Sequence, residues 1–172
     1  MTLGVYSNFP SNVHYIKTYT STAKSNRQLQ QKIIQQLLSV NRRELSFEEV
    51  SIPTIPNGVV IFEFGLAEEG NFNFLSETEA KRAQDYVSSH QVGTLDFFCS
   101  IRYYRQTDAG RQALKFDYFL CRMVFGRGTF AVQVFHERGP IYLSAEDLTE
   151  FVVRQVNERL KKPILKETQE QI

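Results

Sequence analysis

Arginine and tyrosine alternate at Arg102-Tyr103-Tyr104-Arg105, and more cations follow on the neighbouring runs at Arg111, Lys115, Arg122 and Arg127. These are the residues of the chain best suited to recognition chemistry. Planar rings stack on bases, and cations pair with phosphates, when a sheet binds single-stranded nucleic acid. The same residue types are enriched in protein interfaces, where rings and guanidinium groups carry much of the contact. The structural alternative is that the tyrosines pack and the arginines pair across strands with Asp96, Asp108 and Asp117. No RNP-type motif of glycines and aromatics accompanies the cluster.

The other polar concentration is His136-Glu137-Arg138, at the end of an apolar run. A histidine oriented by a carboxylate can act as a general base, but it needs a nucleophile in reach, and none stands out in the sequence. The chain has no G-x-S-x-G, H-E-x-x-H, C-x-x-C or P-loop lysine. Its three histidines, His14, His90 and His136, fall in different elements, so the sequence implies no metal site and no cofactor. Gly126-Arg127-Gly128 could cradle a phosphate, but phosphate loops lead from a strand into a helix. This one leads into another strand, so it reads as a hairpin turn in which both glycines supply positive φ.

Bulk composition narrows the classes. Hydrophobic residues make up 42% of 172, which is enough for a sizeable core, and the net charge of +1 argues for no polyanionic partner. Charge is unevenly placed. Residues 63–85 hold six acids against two bases, whereas residues 95–130 hold six bases against three acids. Cys99 and Cys121 lie in apolar runs and read as small buried hydrophobes. No apolar run approaches the length of a membrane span and no signal-peptide pattern opens the chain, so the expectation is a soluble, cytoplasmic protein with no membrane association.

The elements that must position these residues follow from periodicity. Leu95 to His136 forms three aromatic and β-branched runs split by turn chemistry, a three-stranded antiparallel meander. In its first run Leu95, Phe97, Cys99, Ile101 and Tyr103 share one face. In the second, Leu114, Phe116, Tyr118 and Leu120 share a face, and a change of phase near 120–122 predicts a bulge or a switch of burial. Further strands are expected over 13–19, 59–64 and 71–75. Ser25, Ser76 and Ser144 each open a helix with a capping motif, the last running on toward Pro163 so that Lys161 and Lys162 complement its C-terminal end. Residues 44–57 read as a loop with some extended segments.

The expected fold is α+β: a mostly antiparallel sheet of about six strands, ending in a three-stranded meander, covered by three helices. Residues 1–163 form a single domain and 164–172 a flexible C-terminal tail. The expected function is a non-catalytic interaction module, a subunit or adaptor that meets a protein partner or a second copy of itself. The alternatives are RNA or single-stranded DNA binding through the Arg/Tyr-rich sheet, and a small-molecule enzyme or ligand carrier with a pocket between sheet and helices.

Overall fold

The computed structural model describes residues 3–158 and 160–168. Its centre is an antiparallel sheet of nine strands. In chain order the elements are β1 (Tyr15–Ser21), α1 (Asn26–Val40), β2 (Glu44–Ser46), α2 (Phe47–Val50), β3 (Gly58–Glu68), β4 (Asn71–Phe74) and α3 (Glu77–Ser89). They continue with β5 (Thr94–Thr107), β6 (Gly110–Ala113), β7 (Asp117–Phe125), β8 (Thr129–Arg138), α4 (Ala145–Asn157) and β9 (Leu165–Glu167). Across the sheet the order is β2-β3-β5-β7-β8-β1-β9, with β4 paired to β3 and β6 to β5.

The fold is α+β, with a finer division than the sequence suggested. The additional strands β2, β6 and β9 have three or four residues each, and the additional helix α2 has four. Fragments this short carry no readable period, and their form comes from pairing with a longer neighbour. β2 lies against Val59–Ile61 of β3, and β9 lies against Tyr19–Ser21 of β1. Residues 165–167, read from sequence as part of a loose tail, are thus a strand, and Leu165 is buried.

The same corner explains why α4 ends at Asn157 and not near Pro163. The Asn157 carboxamide oxygen accepts from the backbone N–H of Ile164 and Leu165, and its nitrogen donates to the Leu165 carbonyl. These bonds turn the chain back toward β1. Lys161 and Lys162 therefore lie beyond the helix.

The three longer helices start where expected. Ser25, Ser76 and Ser144 accept from the backbone N–H of Gln28, Glu79 and Asp147. Gln28 reaches back to the N–H of Lys24, one residue before the cap. The hairpin after β7 uses its glycines differently from the expectation. Gly128 has φ +67, whereas Gly126 is needed for space, because a Cβ there would run into the Thr129 hydroxyl.

The alternation of β5 places Leu95, Phe97, Cys99, Ile101 and Tyr103 on one face, where they join Val60, Phe62 and Phe64 of β3 and Phe119, Cys121 and Met123 of β7 in a single core. α1, α3 and α4 cover this face; Phe62 stacks on Phe151 of α4 at 5.0 Å. Ala80 and Ala83 leave α3 a thin apolar stripe, which lets it lie close against α1. Of the two expected causes of the phase change near 120–122, a bulge or a switch of burial, the structure has the second there. β7 is apolar on both faces near Leu120, so its pattern slips without a bulge. The register shift lies at Tyr118/Phe119, where β8 carries the extra residue Glu137.

Candidate functional site

The sheet face opposite the helices carries the side chains available to a partner. Cross-strand register puts Phe98 of β5 beside Leu120 of β7, and Leu120 beside Phe135 of β8. Phe72 of β4 meets Phe98 at 5.8 Å, and Phe135 stacks on His14 at 4.5 Å. An apolar band therefore crosses the open face from β4 to the start of β1. Leu120 is buried by its neighbours, Phe72, Phe98 and Phe135 are half-buried, and nearby Ile16 is 59% exposed. The band continues toward one end through Tyr118, 5.8 Å from Phe98, and Phe116, 6.0 Å from Tyr118.

The structure divides the cations and tyrosines singled out from sequence. Arg102, Tyr104, Arg111 and Arg122 lie on the open face. Tyr103 does not, which corrects its assignment to a binding surface: it is fully buried under the helices. The two-residue period already required this, since Tyr103 alternates with Arg102 and Tyr104. Arg105 is exposed beyond the end of the β5–β7 pairing, and Arg127 stands in the β7–β8 turn at the opposite end of the sheet. The eight do not form one surface.

Most of the open-face arginines are already engaged. Arg102 pairs with Glu63 at 3.0 Å, although its Nε is buried without a hydrogen-bond partner. Arg111 lies over the Tyr104 ring at 5.2 Å and pairs with Glu44 at 2.7 Å. Arg122 grips the buried Asp96 carboxylate with two nitrogens at 2.8 Å and lies under the Phe9 ring at 4.3 Å. Asp96 also accepts the Tyr6 N–H at 2.7 Å, so the pair fastens the N-terminal segment onto the sheet. The hydrogen bond to Asp96 raises the Arg122 pKa and keeps it charged. Cross-strand pairing of arginine with aspartate, the structural alternative read from sequence, thus describes Asp96, but through Arg122.

A second buried carboxylate organises the end of the sheet. Asp117 is fully buried and accepts four hydrogen bonds. These come from the Tyr103 hydroxyl at 2.7 Å, His136 Nε2 at 2.9 Å, and the N–H groups of Ile141 at 2.8 Å and Tyr142 at 2.9 Å. Burial, then the neighbouring carboxylate, push the Tyr103 pKa well up, so the phenol stays a donor. Gly139 has φ +119, and a Cβ there would collide with the Phe116 carbonyl and the Asp117 carboxylate. His136-Glu137-Arg138 is therefore split. His136 turns inward to Asp117, Glu137 sits in the bulge, and Arg138 faces outward over the Tyr118 ring at 5.3 Å. The backbone N–H of His136 donates to His14 Nδ1 at 2.8 Å, a contact between two histidines far apart in sequence.

Lys115 and Arg138 form no ion pair among the described residues, and neither do Arg105 and Arg127. Lys115 and Arg138 share a groove of about 560 Å³ with Phe116, Tyr118, Gly139 and Pro140. No group of three or more histidine, cysteine or acidic side chains is placed to hold a metal among the described residues. Cys99 and Cys121 are free and buried, and burial holds both thiols protonated, Cys121 with a pKa pushed up to about 12.

No family model matches the chain, and no curated protein or solved structure is significantly similar to it. The geometry alone carries the functional argument. No described helix is long and apolar enough to cross a membrane.

Proposed function

We propose that this chain is a non-catalytic interaction module, a cytoplasmic subunit or adaptor that holds a protein partner on the open face of its sheet. The observation that carries the proposal is the aromatic band from Phe72 through Phe98 and Phe135 to His14, half-exposed on a face that no helix covers. Exposed contiguous apolar surface rimmed by polar groups is the usual mark of a docking site. Nucleic acid is the weaker alternative for this face. Stacking needs free ring faces, and Arg111, Arg122 and Arg138 already lie over Tyr104, Phe9 and Tyr118. A ligand carrier is weaker still, because fully buried Phe62, Phe64, Phe97, Phe119, Phe130 and Phe151 fill the space between sheet and helices.

The test compares partners retained from the native source by the wild-type chain, by the open-face variants Ile16→Asp and Phe135→Asp, and by a helix-face variant, Gln35→Glu. Defined proteins retained by the wild type and the helix-face variant, and lost by both open-face variants, support docking here. Retention indifferent to the open-face changes, or retention of nucleic acid in place of protein, overturns the reading.

A further inference from the structure

We infer that the groove between Lys115 and Arg138 anchors an acidic peptide segment of the partner, one that places an aromatic or aliphatic side chain between carboxylates. This rests on the open face being a protein-docking surface and adds the chemistry of what docks at one end of it.

Three observations converge on the groove. First, its two cations are uncompensated. The acids of the open face are consumed elsewhere: Glu63 by Arg102 and Arg42, Glu44 by Arg111, and Asp96 by Arg122. Asp117, two residues from Lys115, is buried under four donors, and among the described residues no ion pair joins Glu137, next to Arg138, to either cation. Second, the groove is lined by apolar surface. Phe116 is 36% exposed, and the Tyr118 ring and Pro140 stand beside it. Third, the groove is preorganised. The Asp117 bonds to the N–H groups of Ile141 and Tyr142, with Gly139 pressed on Phe116, fix the turn that carries Gly139 and Pro140 into the groove. A preset wall lowers the ordering cost of binding a flexible segment.

Charge selects among occupants. A second copy docked groove to groove would bring the unpaired cations of the two together, which is repulsive. An acidic segment gains where a second copy loses. Two cations flanking an apolar floor suit carboxylates on either side of one apolar side chain.

The probe is a fluorescein-labelled peptide, Glu-Asp-Phe-Glu-Asp, set against its uncharged counterpart Gln-Asn-Phe-Gln-Asn and an oligothymidylate of ten nucleotides. Amide shifts of the full chain are followed by heteronuclear NMR. The acidic peptide is expected to move the amides of residues 115–118, Arg138 and Gly139, more weakly as salt is raised. Lys115→Ala and Arg138→Ala should each weaken it by about fivefold. Equal shifts from the uncharged peptide, shifts elsewhere, or a stronger response to the oligonucleotide overturn the inference. If it fails while the Ile16 and Phe135 variants still lose their partner, the docking face stands and only the acidic anchor falls.

Discussion

Replacing Asp117 by asparagine isolates the charge that closes the end of the sheet. The carboxylate divides its donors evenly: Oδ1 takes His136 Nε2 and the Ile141 N–H, and Oδ2 takes the Tyr103 hydroxyl and the Tyr142 N–H. An amide fits the same space, but whichever oxygen becomes NH₂ then faces a backbone donor. Tyr103 can rotate its hydroxyl and accept, and a histidine can change tautomer, but a peptide N–H can do neither. One buried N–H is stranded at about 1–3 kcal/mol, and the remaining bonds lose their charge assistance, giving roughly 2–4 kcal/mol in total. With a urea slope of about 2 kcal/mol/M, the unfolding midpoint should fall by roughly 1–2 M. The chain has no tryptophan, so far-UV circular dichroism with tyrosine fluorescence is the assay. Tyr103→Phe removes one donor of four and should cost less, about 1 kcal/mol. A midpoint for Asp117→Asn within about 0.3 M of wild type, or a Tyr103→Phe loss equal to it, would refute the claim that this carboxylate holds the 139–142 turn.

Three further outcomes follow from the same geometry. Arg122→Ala leaves Asp96 buried with the Tyr6 N–H as its remaining donor, at a cost of about 3–5 kcal/mol, and hydrogen exchange at residues 6–9 should speed up before global unfolding. Gly139→Ala, strained at φ +119 and blocked by Phe116 and Asp117, should destabilise by at least about 2 kcal/mol, measured by the same denaturant midpoint. Stability should fall in alkali: Cys99, Cys121, Tyr19 and Tyr103 all have folded pKa values raised chiefly by burial. A raised folded value gives stability that is complete below the unfolded value and lost above it. The loss should therefore begin near the ordinary thiol value, about pH 8.5, and Cys121 should contribute until its folded value of about 12. Urea midpoints between pH 8 and 10 test this, and Cys121→Val should flatten the early part of the slope.

Local patterning made the long elements legible. Two-residue alternation identified β5 and its buried face, serine caps marked the starts of α1, α3 and α4, and Gly126 and Gly128 bounded a hairpin. The candidate site was legible in part. Arg102, Tyr104, Arg111 and Arg122 do share a face, but Tyr103 alternates away from them into the core, and Arg127 lies at the far end. By the same two-residue period Phe98 and Phe135 fall opposite the buried faces of their strands, but the period does not say that the two flank Leu120 across the sheet.

Sequence by itself determined which residues alternate, where helices can begin, and that an aromatic α+β sheet would form, since these depend on neighbours along the chain. Tertiary structure decided which face the helices cover, and therefore that Phe72, Phe98, Phe135 and Ile16 remain outside. It also chose the partners of Asp96 and Asp117, reached across 26 residues to Arg122 and across 14 and 19 to Tyr103 and His136. A buried carboxylate must find donors, but the sequence does not state which ones folding will bring within 3 Å.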